Sequence, residues 1–468
     1  MEQFEVTSAD TIAAISTPPG TGGIAVVRVS GPEAISIVNN AWKGKSLHSV
    51  GSHTVHLGSY LDTSGQILDE CVATVFRSPR TFTGEDVVEL SIHGSKWIQR
   101  EILADLIRRG ARVAQPGEFT QRAFLNGRLD LAQAEGVADL IAASSKAAHT
   151  LAVSQTRGNF SKEIDILRDR LIEFASLLEL ELDFSEEEVE FADRQKLLAL
   201  STGIINKIDR LSSSYSSGAV LKEGVPVVIA GIPNAGKSSL LNLLLNDDKA
   251  IVSDIPGTTR DSIEDTVEIN GILYRFIDTA GLRDSNDTVE KIGIDRARLL
   301  MKRASIVIWL IDPTSPLPPQ QEEIITFLTD NPESRLILLQ NKSDLPTSRL
   351  PYLSQLLSSS LSVSNPPLTF STKTAEGLPE LIERLTALST SDYNPENELI
   401  ITNIRHYEAL KKGSESLQRA IRGIEDGISG DFIAQDVREA LHHLGTITGA
   451  ITTHTLLTSI FSRFCIGK

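Results

Sequence analysis

Hydrophobic positions along the chain change their period repeatedly, and each change marks a change of architecture. Between Thr11 and about Arg122, short apolar runs alternate with turns. Gly23 to Val29, Cys71 to Phe76 and Val87 to Ile92 read as strands, and Lys96 to Arg109 carries helical spacing. A compact α/β domain is expected there. From about Leu129 to Ser217 proline is absent, and Ala, Leu, Glu, Lys and Arg recur at amphipathic spacing, which predicts long helices. The serine-rich stretch Leu211 to Gly218 reads as a boundary. Apolar runs of strand type return at Val225 to Ala230, Ile272 to Ile277 and Leu336 to Leu339. After a polar linker at Ser391 to Asn397, helical period resumes from Ile404 to the end. The economical organisation is a helical domain made from two chain segments, residues 126–218 and 389–468. An α/β domain at 1–125 precedes it, and a further domain at 219–388 is inserted, as chains tolerate where the ends of the inserted piece lie close together.

The inserted segment carries the chemistry. Gly231-Ile-Pro-Asn-Ala-Gly-Lys-Ser238 fits the phosphate-loop spacing, in which backbone N–H groups wrap a nucleotide's phosphates. It follows an apolar strand and opens an amphipathic helix at Ser238 to Leu245, the context the motif requires. Lys237 is expected to reach the β- and γ-phosphates and Ser238 to hold Mg²⁺, with the helix N-terminus facing the negative charge. Asp278-Thr-Ala-Gly281 ends the Ile272 strand, where a carboxylate serves the Mg²⁺ shell and Gly281 approaches the γ-phosphate. In the loop between, Thr259 of Gly257-Thr-Thr-Arg260 is assigned as the second Mg²⁺ ligand. Asn341-Lys-Ser-Asp344 follows another strand, and the Asp344 carboxylate suits the paired donors of guanine, which adenine lacks. Ser371-Thr-Lys373 is placed at a base-contacting loop. Together these elements resemble the GTP-binding domain of the translation-factor-like small GTPases over about a third of the chain, and imply an inserted Ras-like P-loop domain. The candidate GTP contacts are Asn234, Ala235, Gly236, Lys237, Ser238, Ser239, Ser253, Asp254, Ile255, Pro256, Gly257, Thr258, Thr259, Asp278, Thr279, Ala280, Gly281, Asn341, Lys342, Asp344, Ser371, Thr372 and Lys373. Leu282 stands where many such enzymes carry a water-orienting Gln. Spacing leaves Arg283, Asp284, Asp287, Glu290 and Arg260 as replacements.

Composition narrows the setting. The 468 residues are 41% hydrophobic, enough for about three domains with sizeable cores. No apolar run reaches the roughly eighteen residues of a membrane span, and the Met1 start lacks the pattern of a signal peptide, so a cytoplasmic location without a membrane partner is expected. Cys71 and Cys465 are far apart in sequence, which offers neither a disulfide framework nor a cysteine-rich metal site. A formal charge of −16 argues against broad nonspecific attachment to nucleic acid, though a local basic patch remains compatible with RNA. The acidic run Glu186 to Glu190 reads as a solvated helix face or junction rather than a metal site.

The chain ends in Phe464-Cys-Ile-Gly-Lys468, and with the central domain this terminus resembles the MnmE (TrmE) family of tRNA modification GTPases. Thr17 to Gly23, Phe82 to Leu90, Pro116 to Asn126 and Leu129 to Glu135 resemble that family's N-terminal half, so the match spans essentially the whole chain. The resemblance implies an N-terminal α/β folate-binding-like domain that also forms a homodimer. It implies work with the FAD-dependent partner MnmG, as a heterotetramer, to attach a carboxymethylaminomethyl or aminomethyl group to carbon 5 of the tRNA wobble uridine. A tetrahydrofolate derivative, 5-formyl or 5,10-methylene, is the implied one-carbon donor, with Arg28, Glu89, Arg128 and Lys468 as its contacts; cations suit folate's carboxylates and a carboxylate suits the pterin N–H edge. The same resemblance places K⁺ among oxygens of Asn234, Ser253, Ile255 and Thr258, makes Glu290 the catalytic glutamate, and brings Cys465 to the modification site. Two positions depart from the family pattern: Thr372 stands where Ala is usual, and His454-Thr455 replaces an acidic pair. The competing expectation is a regulatory GTPase of ribosome or RNA maturation without modification chemistry.

Overall fold

The computed structural model describes residues 10–183, 194–246, 251–252, 264–278, 300–302, 304–331, 335–345, 366–390 and 399–467. They fall into two compact units. One holds the described residues of Met1–Ala138, Gln155–Ser201 and Glu415–Lys468, the other those of Asp139–Ser154 and Thr202–Ser414. The acidic run at 186–190 lies outside the described residues.

In the first unit the strands are β1 (Ile12–Ile15), β2 (Ile24–Ser30), β3 (Trp42–Lys43), β4 (Thr54–Leu61), β5 (Ile67–Phe76), β6 (Val87–His93) and β7 (Arg112–Val113). They form one sheet in the order β3-β4-β5-β6-β2-β1-β7, antiparallel except where β1 meets β7. Alternation fills the core: Val27 and Val29, Cys71, Ala73 and Val75, and Val88, Leu90 and Ile92 are buried with Ile102 and Leu106 of the helix Lys96–Arg108. Each Val, Leu or Ile side chain among them contributes about 1.5–3 kcal/mol by leaving water. Strand β4 gave no usable period, because Val55 and Leu57 face outward and only Tyr60 is buried. It is held instead by Gly58, whose missing side chain admits the Trp42 ring; a Cβ there would lie 2.4 Å from Trp42 Cζ2.

The expected long helices are present as pieces: Leu131–Ala142, Lys146–Thr156, Asn159–Asp183, Arg194–Ser213 and Tyr215–Glu223. Gly158, at φ +76°, separates two of them. Ile164, Leu167, Leu171, Phe174 and Leu178 form a buried row at helical spacing on Asn159–Asp183, which packs against Gly430–Thr448 from the far end of the sequence. A helical layer is thus built from two chain segments. The helix His454–Phe461 tolerates its departing residues, since Thr453 Oγ1 caps it by accepting from the Leu456 amide and Thr458 Oγ1 donates to the His454 carbonyl at 2.9 Å.

In the second unit the strands are β8 (Val225–Gly231), β9 (Ile251–Val252), β10 (Glu264–Ile269), β11 (Ile272–Asp278), β12 (Ile306–Ile311), β13 (Arg335–Gln340) and β14 (Leu368–Thr369), in the order β14-β13-β12-β8-β11-β10-β9. From β14 to β11 the pairing is parallel, and β10 and β9 add an antiparallel edge. The chain reverses direction of winding at β8, the position where doubly wound sheets place their ligand. The serine-rich stretch spans the end of one helix and the start of the next. It continues the helix to Ser213 and restarts at Tyr215, because Ser213 and Ser214 hydroxyls donate to the Arg210 and Leu211 carbonyls at 2.9 and 2.6 Å.

One buried ion cluster closes the first unit. Arg122 is 1% exposed, and its guanidinium donates to Asp10, Glu85 and Glu118. Arg112 shares Asp10 and Glu118. Burial alone would raise the Glu118 carboxyl, but hydrogen bonds from Arg112, the Gln115 amide and Arg122 outweigh it and hold the group below its ordinary value. Arg122→Ala should therefore cost about 3–5 kcal/mol of this unit's stability, by stranding buried carboxylates. Because the folded carboxyls of Glu118 and Asp10 are depressed, their contribution is present above the ordinary carboxylate range and is lost as pH falls through the folded values. Thermal unfolding of the wild type between neutral and acid pH should show that loss, and the Arg122→Ala protein should show less of it.

Candidate functional site

The phosphate-loop residues leave the buried strand β8 where its backbone must turn sharply. Gly231 has φ +139°, and a Cβ there would lie 2.5 Å from the Leu310 carbonyl oxygen of β12. Asn234 at φ +63° and Gly236 at φ +103° both take the left-handed region, and the helix Lys237–Leu245 begins immediately after. Lys237 Nζ donates to the Gly231 and Ile232 carbonyls at 3.0 and 2.9 Å, which lays the side chain back over its own loop. The N-terminal amides of that helix and the ammonium make a concave positive surface of the kind that binds phosphate.

Asn341, at the end of β13, joins this loop to the loop after β14. It is 1% exposed, and its Nδ2 donates to the Ala235 carbonyl at 2.7 Å and to Thr372 Oγ1 at 3.3 Å. Its Oδ1 accepts from the Thr372 amide at 3.0 Å. The contact at residue 372 is thus partly backbone, which any residue provides, and Thr adds a hydroxyl acceptor. Ser371 Oγ donates to Asp344 Oδ1 at 2.9 Å and accepts from the Lys373 and Thr374 amides. The Asp344 carboxylate is therefore oriented by a buried serine.

Sequence reading passed over several residues that build this site. Asp312, at the end of β12, is 2% exposed and takes Lys342 Nζ at 2.6 Å. Burial opposes its ionisation, but the Lys342 and Thr314 hydrogen bonds hold it below its ordinary value. Gln320 brackets the same residue by accepting from the Asp312 amide and donating to its carbonyl. Glu376 accepts from the Ser343 hydroxyl at 2.6 Å. A carboxylate at the end of an all-apolar run was the available signal for Asp312. Asp278 ends β11 in register with Ile229 of β8, next to the phosphate loop's strand. Ser253, Asp254, Ile255, Pro256, Gly257, Thr258, Thr259, Thr279, Ala280, Gly281 and Glu290 lie outside the described residues.

In the first unit, Arg28 and Glu89 stand directly opposite on β2 and β6 and pair at 2.8 Å. The Arg28 guanidinium also lies 5.7 Å from the Phe82 ring centroid and 5.6 Å from that of Phe119, inside cation–π range. Arg128 donates to the Thr81 carbonyl at 3.2 Å, beside Phe82. Cys465 is exposed and Lys468 lies outside the described residues. Three of the four expected folate contacts thus belong to one face and one adjoining loop.

A phosphate loop at the switch point of a mostly parallel sheet, tied by a buried asparagine to an oriented aspartate, defines a P-loop GTPase. Family models extend this to the rest of the chain: the MnmE helical domain matches residues 131–465, and the N-terminus of the GTP-binding protein TrmE matches residues 11–128. The chain belongs to the MnmE family of tRNA modification GTPases. It is 48% identical over 461 residues to the tRNA modification GTPase MnmE of Cytophaga hutchinsonii, covering 98% of each chain. With that of Parabacteroides distasonis it shares 49% over 467 residues, covering 98% of this chain and all of that one. Among solved structures it is similar to the G domain of the T. maritima FeoB iron transporter, at 28% identity and a TM-score of 0.27, over 36% of this chain and 99% of that one.

Gly236→Ala should cut GTP affinity by about tenfold or more, since a strained φ is combined with a Cβ 2.4 Å from the fixed Asn341 Nδ2. Asn341→Ala should act in the same direction by leaving the Ala235 carbonyl without its donor. Titration with a fluorescent GTP analogue checks both; wild-type affinity in either would contradict this account of the loop.

Proposed function

We propose that this protein is a K⁺-stimulated GTP hydrolase whose cycle serves modification of the tRNA wobble uridine at carbon 5, and that its two kinds of site divide the work. The observation that carries the nucleotide half is the Asn341 bridge, which makes the phosphate loop and the base-reading Asp344 and Ser371–Lys373 elements one structure. Ser238 and Thr259 suit Mg²⁺, and oxygens of Asn234, Ser253, Ile255 and Thr258 suit K⁺, since hard cations take oxygen donors. Bound there, the two cations supply positive charge against the phosphates as charge develops during transfer. Glu290 orients the attacking water. Asp344, held by Ser371, accepts from guanine, and Lys237 holds the β- and γ-phosphates.

The amino-terminal half receives a tetrahydrofolate derivative, 5-formyl or 5,10-methylene, through Arg28, Glu89, Arg128 and Lys468, with Cys465 at the modification site. The aromatic neighbours of Arg28, Phe82 and Phe119, fit a flat ring system with charged ends. The protein acts as a homodimer joined through the 1–125 domain and with FAD-dependent MnmG as a heterotetramer, in the cytoplasm, adding a carboxymethylaminomethyl or aminomethyl group. Among the described residues no helix is long and apolar enough to cross a membrane. The 126–218 and 389–468 segments form the helical domain and 219–388 the GTPase domain. Family membership favours this reading over a regulatory GTPase without modification chemistry.

Nucleoside analysis of tRNA from a strain lacking the protein should show unmodified wobble uridines; unchanged uridines would sink the proposal. Turnover should fall by about tenfold or more when K⁺ is replaced by Na⁺, and equal rates in the two salts would remove the K⁺ assignment. Glu290→Ala should lose hydrolysis by about 10²-fold or more with GTP affinity retained; retained turnover would pass the role to another residue.

A further inference from the structure

The carboxy-terminal segment is fastened to the amino-terminal strands by its backbone. The Cys465 carbonyl accepts from the Gly117 amide at 3.3 Å. The Gly467 carbonyl accepts from the Ser16 hydroxyl at 3.0 Å and from Arg28 Nη1 at 3.5 Å. Gly467 sits at φ +93°, and a Cβ there would lie 2.4 Å from the Ile15 carbonyl oxygen and 3.0 Å from Ser16 Cα. Both obstacles are backbone at the end of β1, so neither can swing aside. The receiving side is equally specific: Gly117 has φ +68°, and a Cβ on it would meet the Phe461 carbonyl oxygen at 2.7 Å and Phe464 Cβ at 2.9 Å. Between these two anchors Cys465 and Ile466 are exposed, whereas Gly467 is buried.

We propose that Gly467 is a positioning residue, the point at which the tail is keyed to Ile15, Ser16 and Arg28 so that the Cys465 thiol is presented from a fixed backbone for tRNA modification. Chain termini are ordinarily mobile unless tied down. Here only glycine meets both demands at once, a left-handed φ and close approach to a strand backbone. The Arg28 side chain gains a second duty, because the guanidinium that pairs with Glu89 also reaches the tail carbonyl. The inference rests on the proposed part of Arg28 and Cys465 in the modification site.

In the full-length protein, Gly467→Ala should speed hydrogen exchange at the Gly117 amide by about tenfold or more, because its acceptor leaves with the tail. In a strain carrying only this variant, wobble-uridine modification should fall by about tenfold or more, with GTP hydrolysis by the purified protein within about twofold of wild type and Tm unchanged. Ser16→Ala should move the Gly117 amide and the modification in the same direction by less, and Ser16→Thr, which keeps the hydroxyl, should restore both. A Gly117 amide still protected in Gly467→Ala overturns the keying. A deprotected Gly117 with full modification overturns the positioning role. Full modification by Cys465→Ser would overturn the reading beneath the proposal, and it would be told apart from failed keying because Gly117 protection is read without the chemistry.

Discussion

The nucleotide site depends on one buried amide. Asn341 donates to the phosphate loop at Ala235 and exchanges hydrogen bonds with Thr372, so three loops that leave three different strands hold a single geometry. Asn234, Gly236 and Lys342 in these loops take the left-handed region. Their conformations persist because a neighbour satisfies the polar groups that the turns expose. A buried amide that is fully used both stabilises and specifies, since the cost of leaving any one partner unmade is high.

The amino-terminal unit solves a similar problem with charge. Arg122 gathers carboxylates from residue 10, from the β5–β6 connection and from its own helix, so segments distant in sequence close around one guanidinium. Arg28 then sits in a half-buried niche with Glu89 opposite and two phenyl rings beside it. The first arginine is spent on the fold, the second faces outward, and nothing in their local sequences distinguishes them. Burial does: a guanidinium enclosed among three carboxylates is structural, and one that is only half-buried can serve a ligand.

Much of the plan was legible in the linear pattern. The strand beginning at residue 225, the helix after the phosphate loop and the Val87 and Lys96 elements all stand where period and composition put them, because each buries one continuous face. Strand β4 was hidden by an outward-facing apolar pair, and its packing rests on a glycine that makes room for Trp42. In the serine-rich stretch, residues that favour turns in isolation here return their hydroxyls to the preceding helical turn.

By itself the sequence determined the type of nucleotide chemistry, since the phosphate-loop spacing and the Asn341-to-Asp344 element are local strings whose meaning follows from order and residue type. Tertiary structure alone decided which distant residues hold the segments in place. Asp312 beneath Lys342, Ser371 behind Asp344, Arg122 among its carboxylates and Gly467 against β1 are pairings across long sequence separations. Such pairings leave no periodic trace, because each depends on where two distant backbones come to rest and on the burial that makes an unpaired charge or an extra methyl group costly there.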